Sequence, residues 1–194
     1  MSAKLTISIP VWLDKIFVWP VLAYRKFKYG YTYRRIYLGE GYWTILDEKD
    51  YYRLRKYKWI VQGKDRKFYA MRAVKINERE IKLISMHREI LHAPEGMLVD
   101  HQNRNSLDNR QHNLRLATPS QNSYNRKKTS GTSSSKYRGV TFNKGRNRWY
   151  ARIKVNGKTM WLGSFDNEEK AAKAYDEAAK KFYKDFAHLN LPCD

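Results

Sequence analysis

The sequence predicts an α+β chain of two modules. A β-rich segment runs into a strand–loop–strand–helix unit, and a small three-stranded antiparallel sheet packed on one helix follows. Three observations carry this. Short stretches of alternating apolar and polar residues recur along the chain, the period-2 pattern of strands with one face buried. Residues 129–135 (TSGTSSS) are small, polar and uncharged, a linker composition that divides the chain. Asn156-Gly157 sits between two strand-like runs as a tight hairpin signal, and an alanine-rich helical pattern comes after.

Composition limits what such a chain can do. The 194 residues carry 39 Lys+Arg against 19 Asp+Glu, a net charge of +20 with pI near 10.0. The basic residues are spread over the whole length, so every part can touch one long polyanion. With 42% hydrophobic residues, 6 Trp, 15 Tyr and 7 Phe, the chain can build cores, which excludes a disordered basic tail. A single cysteine, Cys193, excludes a disulfide framework within the chain and a structural zinc held by thiolates. It suits a reducing compartment.

Residues 1–39 form a basic, aromatic extension with Arg25, Arg34 and Arg35. The apolar run 16–24 (IFVWPVLAY) is too short and too broken by Pro20 to span a membrane, which takes about 20 apolar residues. It also lacks the cleavage site of a signal peptide, so it reads as a core-packing segment. Residues 40–128 hold the first module. Residues 42–46 alternate as a strand, 47–57 read as helix or turn, and 58–61, 68–74 and 81–85 read as strands. MHREIL at 86–91 starts a short helix. Residues 96–101 (GMLVDH) form a strand leaving a turn, 102–113 an Asn-rich loop, and 114–117 a second strand. Thr118-Pro119-Ser120-Gln121 then combines an N-cap, a proline at the first helical position and a capping box, predicting a helix to about Lys128.

Residues 136–194 hold the second module. Strands are predicted over 137–142, 148–155 and 159–165. Asp166 is expected to cap a helix over 167–183, with Ala171, Ala174, Tyr175, Ala178 and Phe182 at helical spacing. In 148–155, Trp149, Ala151, Ile153 and Val155 share the face that packs on this helix. Arg148, Tyr150, Arg152 and Lys154 share the other, a basic and aromatic face with nothing in the sequence to cover it. Such a sheet can enter a major groove and reach base edges through arginine.

The stretch 99–125 (VDHQNRNSLDNRQHNLRLATPSQNSYN) carries the chemistry. Asp100 and His101 fall at the end of the first strand, Asn113 at the start of the second, and Asn122 in the first turn of the helix. A short hairpin on a helix brings these four together. A neutral imidazole accepts the proton of a water attacking phosphorus near pH 7. An amide such as Asn113 orients a histidine. A hard divalent cation stabilises the leaving oxygen and takes oxygen ligands, here Asp100 and the Asn122 carbonyl, with water completing the set. Arg104, Arg110 and Arg115 surround the loop and can pin phosphates. An Asp-His pair alone is more often structural; the four placements together with the charge favour a metal nuclease. His87, His92 and His112 read as structural or surface groups, and Arg88 lies in position to hold a phosphate.

VDHQN, DNRQHNLRLAT and SQNSYN resemble the HNH nuclease motif of phage-type homing endonucleases, with 43–59 (WTILDEKDYYRLRKYKW) and SMHREIL like the segments preceding it. The resemblance covers roughly residues 40–128. It implies a ββα-metal finger with His101 as general base, Asn113 as central asparagine, and Asp100 and Asn122 as ligands of a divalent metal, magnesium or manganese. Asn122 stands where many such enzymes have histidine, as in the sub-branch some of whose members nick one strand. Residues 136–194 resemble the plant ethylene-response-factor (Apetala-two) DNA-binding domain through YRGV, WYARI, WLGSF, AAKAYDEAA and LNLP. That likeness implies DNA contacts at Arg138, Arg148, Arg152, Lys154 and Trp161; Trp161 also has a core-packing reading. Thr141, Asn143 and Thr159 replace arginines common in plant domains, so the plant base specificity does not carry over.

The expected function is therefore a metal-dependent endonuclease or nickase of homing or mobile-element type, acting on duplex DNA, with a C-terminal recognition module. No membrane and no small-molecule cofactor is expected. The expected location is the cytoplasm of a bacterial or phage-infected cell, at the nucleoid. The rival from another class is a non-catalytic DNA-binding regulator that keeps the nuclease fold as a clamp. An RNA binder fits the charge but not the groove-reading sheet.

Overall fold

A computed structural model describes residues 10–64, 67–126 and 134–192. Packing groups residues 1–92 with 105–114 as one unit, and 93–104 with 115–194 as a second.

The first unit opens with α1 (Val11–Tyr29), which ends at Gly30 in a left-handed conformation, with the Gly30 amide bonded to Lys26 O at 2.9 Å. The apolar run expected to pack into a core lies on this helix, and none of its residues is buried. Trp12, Phe17, Trp19 and Phe27 are exposed. The helix is tied down by polar contacts instead: Asp14 pairs with Arg34 at 2.9 Å, and Arg25 donates to Tyr33 O. The hydrophobic content was legible; its partner surface was not. No helix of the described residues is long and apolar enough to cross a membrane.

An antiparallel hairpin follows, β1 (Arg34–Gly39) and β2 (Tyr42–Leu46), then α2 (Glu48–Leu54). Strands β3 (Ile60–Lys64), β4 (Lys67–Lys75) and β5 (Ile81–Ser85) form an antiparallel sheet in sequence order, as the alternation predicts. Helix α3 (Met86–Leu91) closes the segment. Leu38, Leu46, Leu54, Trp59, Met86 and Ile90 are among the large buried apolar side chains of this unit.

In the second unit β6 (Leu98–His101) pairs with β7 (Leu114–Ala117), and α4 (Pro119–Tyr124) follows. Thr118 caps α4 with the full capping box: its hydroxyl accepts from Gln121 N, and the Gln121 side chain accepts from Thr118 N. The helix stops at Tyr124, short of the expected Lys128, with Asn125 as its C-cap. Lys127, Lys128 and residues 129–133 of the predicted linker lie outside the described residues, as does Cys193.

Strands β8 (Val140–Asn143), β9 (Arg148–Val155) and β10 (Lys158–Phe165) form an antiparallel sheet with β9 central, backed by α5 (Glu168–Tyr183). Asn156 and Gly157 both take positive φ in the β9–β10 turn, as that dipeptide predicts. The alanines of α5 let it lie close on the sheet: Ala171 and Ala172 pack with Tyr137, Val140 and Ala151. Gly139 permits the same approach on the strand side, because a Cβ there would stand 2.2 Å from the Tyr175 ring. Two expectations shift. The first strand starts at Val140 rather than Tyr137, and the cap of α5 is Asn167, whose side chain accepts from Glu169 N at 2.7 Å. Asp166, one residue too early to reach that amide, pairs with exposed Lys170 at 3.1 Å.

Candidate functional site

Strand β6 delivers Asp100 and His101 to its C-terminal end, and both are buried at 6% exposure. Desolvating a carboxylate is costly unless donors surround it. Two side chains do so. Arg115, on the neighbouring strand β7, donates through Nε and Nη2 to Asp100 Oδ2 at 2.8 and 2.6 Å. Asn125, at the end of α4, donates through Nδ2 to Oδ1 at 3.0 Å and Oδ2 at 3.1 Å, and to His101 O at 2.9 Å. One amide thus ties the helix terminus to the strand end that carries both candidate residues.

Asn122 lies half-buried one turn before Asn125 on α4, with its backbone N–H bonded to Thr118 O at 2.9 Å. Asn113 belongs to the first unit. It is buried, and its amide donates to Asp108 O at 2.8 Å. Arg110, expected near phosphates, is buried too. It forms a two-point bond with Asp108 at 2.8 and 2.6 Å and lies over the Tyr31 ring at 3.7 Å. The Asp108 hydrogen bond raises its pKa above the ordinary arginine value. Arg88 is half-buried on α3. Arg104 is exposed, with a left-handed backbone, and its Nη1 lies 2.5 Å from His188 Nε2. His112 is exposed, with its ring 6.5 Å from Tyr31.

The sequence reading missed Asn125 and the role of Arg115. Asn125 follows Asn122 by three residues, so both project to the same side of a helix; that spacing was the available signal. Arg115 was read as a phosphate contact because nothing in the sequence shows which residue faces Asp100 across the hairpin.

Among the described residues no group of three or more His, Cys, Asp or Glu side chains is arranged to hold a metal ion. The donors at hand are one carboxylate and one amide carbonyl, the oxygen chemistry of a hard cation that keeps much of its water. They fit such an ion, with Asp100 Oδ2 already committed to Arg115.

On the C-terminal sheet the expected alternation is present except at Tyr150, which was expected on the open face but is buried, covered by Trp161. Ala151 and Ile153 of β9 are buried toward α5, while Arg148, Arg152 and Lys154 are exposed. Trp161 is 52% exposed and packs edge-on against Tyr150 at 4.7 Å, with the Arg152 guanidinium 5.4 Å from its ring centre. It belongs to the basic face rather than to the core. Arg148 bonds to Ser164 O at 3.0 Å. Arg138 is turned elsewhere: its guanidinium donates to the carbonyls of Ser123, Tyr124 and Arg126 at the end of α4.

Two family models match these segments, HNH endonuclease over residues 92–124 and AP2 domain over residues 135–184. The chain carries an HNH endonuclease domain and an AP2 DNA-binding domain. It is 39% identical over 97 residues to an uncharacterized HNH endonuclease of Acanthamoeba polyphaga mimivirus, covering 50% of this chain and 49% of that protein. It is 51% identical over 47 residues to a dehydration-responsive element-binding protein of Arabidopsis thaliana, 23% of each chain. An AP2-like ethylene-responsive transcription factor of the same plant is 53% identical over 49 residues, 25% of this chain and 10% of that one. The chain spans about half the length of the viral relative and a quarter or less of these plant proteins. HNH nucleases typically use a divalent metal.

Proposed function

We propose that the chain is a metal-dependent DNA endonuclease of homing or mobile-element type that hydrolyses phosphodiester bonds of duplex DNA. The observation that carries this reading is the buried Asp100–His101 pair at a strand end, fastened from the following helix by Asn125. His101 is the base that takes the proton of the attacking water, and Asn113 is its positioning asparagine. Asp100 and the Asn122 carbonyl would hold the divalent ion, magnesium by preference, which would stabilise charge on the leaving oxygen. Arg88 and Arg104 bind flanking phosphates. Arg148, Arg152, Lys154 and Trp161 present the recognition face to the DNA groove. The domain boundaries at 39/40, 128/129 and 135/136 and a cytoplasmic, nucleoid-associated location in a bacterial or phage-infected cell belong to the same reading.

One observation favours a second reading. An Asp100 carboxylate that kept Arg115 in place of an ion would leave the finger as a DNA clamp without catalysis. Plasmid nicking with magnesium, and again with chelator, separates the two. Cutting with magnesium alone is expected. His101→Ala is expected to lower it about 10²–10⁴-fold, the usual worth of a positioned base, with DNA binding unchanged. Full cutting by that variant removes His101 from the role, and absence of cutting by the wild type favours the clamp.

A further inference from the structure

We propose that the AP2 sheet is docked on the HNH finger through Tyr124, Arg138 and Tyr183, and that this contact sets the spacing between the bound sequence and the bond that is cut. The proposal rests on the nuclease reading for the cut and on geometry for the docking.

Tyr124 is the last residue of α4, yet it is buried in the core of the other module. Its ring stacks on Tyr183 of α5 with centroids 3.8 Å apart and planes 9° from parallel. The two belong to one buried cluster with Ile153, Tyr175, Ala178 and Ala179. The Tyr124 hydroxyl donates to Asn156 Oδ1 at 3.2 Å and accepts from Asn156 N at 3.3 Å, in the β9–β10 turn. Burial raises the Tyr183 phenol pKa, and that hydroxyl donates to Lys154 O at 2.7 Å.

Arg138 adds to the joint, with its guanidinium 6.0 Å from the Tyr183 ring centre. The last carbonyls of a helix have no partner within it. Arg138 answers those of Ser123 and Tyr124, and reaches Arg126 O just beyond the helix, with two of its nitrogens. Arg115, which holds Asp100, lies 3.8 Å from the Phe186 ring and donates to Asp185 O just beyond α5. Asn125, next to Tyr124, holds Asp100 as well. The recognition sheet is therefore two side chains away from the candidate metal ligand by either route.

The consequence is geometric. A seven-residue connector acting alone reaches roughly 24 Å. On DNA that is about seven steps of ~3.4 Å, so a tethered finger would cut at several positions. A docked finger cuts at one.

The test compares the full-length wild type with three variants: eight Gly-Ser residues inserted between Ser130 and Gly131, Arg138→Gln, and Tyr124→Ala. Cleavage is mapped on DNA selected for AP2-dependent binding. The expected result is one offset from the bound sequence, unchanged by the insertion and spread over several neighbouring bonds by Arg138→Gln and Tyr124→Ala. An offset that moves or spreads with the insertion overturns the proposal.

Native-state hydrogen exchange without DNA or metal gives an independent readout and covers a Tyr124→Ala that folds poorly. In Arg138→Gln the α4 amides are expected to exchange at least about tenfold faster than in the wild type, with α5 unchanged. Equal α4 exchange in both overturns the docking. If the wild type cuts no DNA with any divalent metal, the nuclease reading and the spacing claim fall together, and exchange alone decides the docking.

Discussion

Two polar clusters are buried within a short span of chain, and they are built differently. Around Asp108 the partners described below are local or sit on the neighbouring hairpin. Arg110 grips Asp108 at two points, Asn113 donates to Asp108 O, and Asn109 Nδ2 donates to the buried Thr44 hydroxyl at 2.8 Å. The backbone joins in: Ile45 N donates to Leu107 O and Asn109 N to Ile45 O, at 2.9 and 2.8 Å. Around Asp100 the partners arrive from a separate strand and a helix end, and both arginine bonds fall on one carboxylate oxygen. The first cluster is a scaffold that fixes an otherwise irregular loop. The second holds a buried carboxylate, next in sequence to a histidine, with an arginine and an amide brought from elsewhere in the fold. Burial of polar groups is common to both, so burial alone does not distinguish them; the arrangement of the partners does.

The largest separation is expected between Asp108→Ala and His101→Ala. Removing Asp108 leaves Arg110 buried without its counter-charge, a loss of about 3–5 kcal/mol of stability. Thermal unfolding should shift strongly, with any activity falling only as the folded fraction falls. His101→Ala should show the reverse, a lost activity on an unchanged melting curve. Equal melting losses in both variants would erase the distinction between the clusters. Asn125→Ala comes next. It strips donors from the buried Asp100 carboxylate and should cost about 1–3 kcal/mol in chelator. Magnesium should restore part of that loss, because an ion that binds the folded state stabilises it by mass action. A magnesium-independent loss would make Asn125 purely structural.

The recognition face gives a smaller effect. Arg152→Ala with Lys154→Ala should weaken DNA binding and flatten the salt dependence by up to about 2 in log–log slope if each neutralises one phosphate. An unchanged slope with altered sequence preference would mean base contacts instead. His112→Ala, an exposed position beside Asn113, should stay within about 0.5 kcal/mol and leave cutting intact. A large loss of cutting there would transfer the base role from His101 to His112.

Much of the fold was legible because its signals are local. Thr118-Pro119-Ser120-Gln121 specifies a helix start by its own hydrogen bonds, and the structure has that capping box. Asn156-Gly157 specifies a turn because few other pairs accept positive φ at both positions. The alternation in β9 sorted Ala151 and Ile153 from Arg152 and Lys154 because strand geometry sends neighbours to opposite faces. The α1 segment was misread for the opposite reason. Its apolar residues specify that burial would be favourable, but not that another surface is there to receive them. Asn167 replaced Asp166 as the α5 cap because a cap depends on one residue's backbone angles, which composition leaves open by a position.

By itself the amino-acid sequence determined the two domain types, the strongly positive net charge, and Asp100, His101, Asn113 and Asn122 as the residues on which the proposed chemistry rests. Motif spacing and residue chemistry are properties of the chain, so they survive without coordinates. Only the tertiary structure decided that Arg115 and Asn125 hold Asp100, that Arg110 is spent on Asp108, and that Tyr124 sits in the core beside Tyr183. Those are choices of partner between groups distant in sequence. They are made by packing, where one well-formed contact excludes another, and no local pattern records which contact wins.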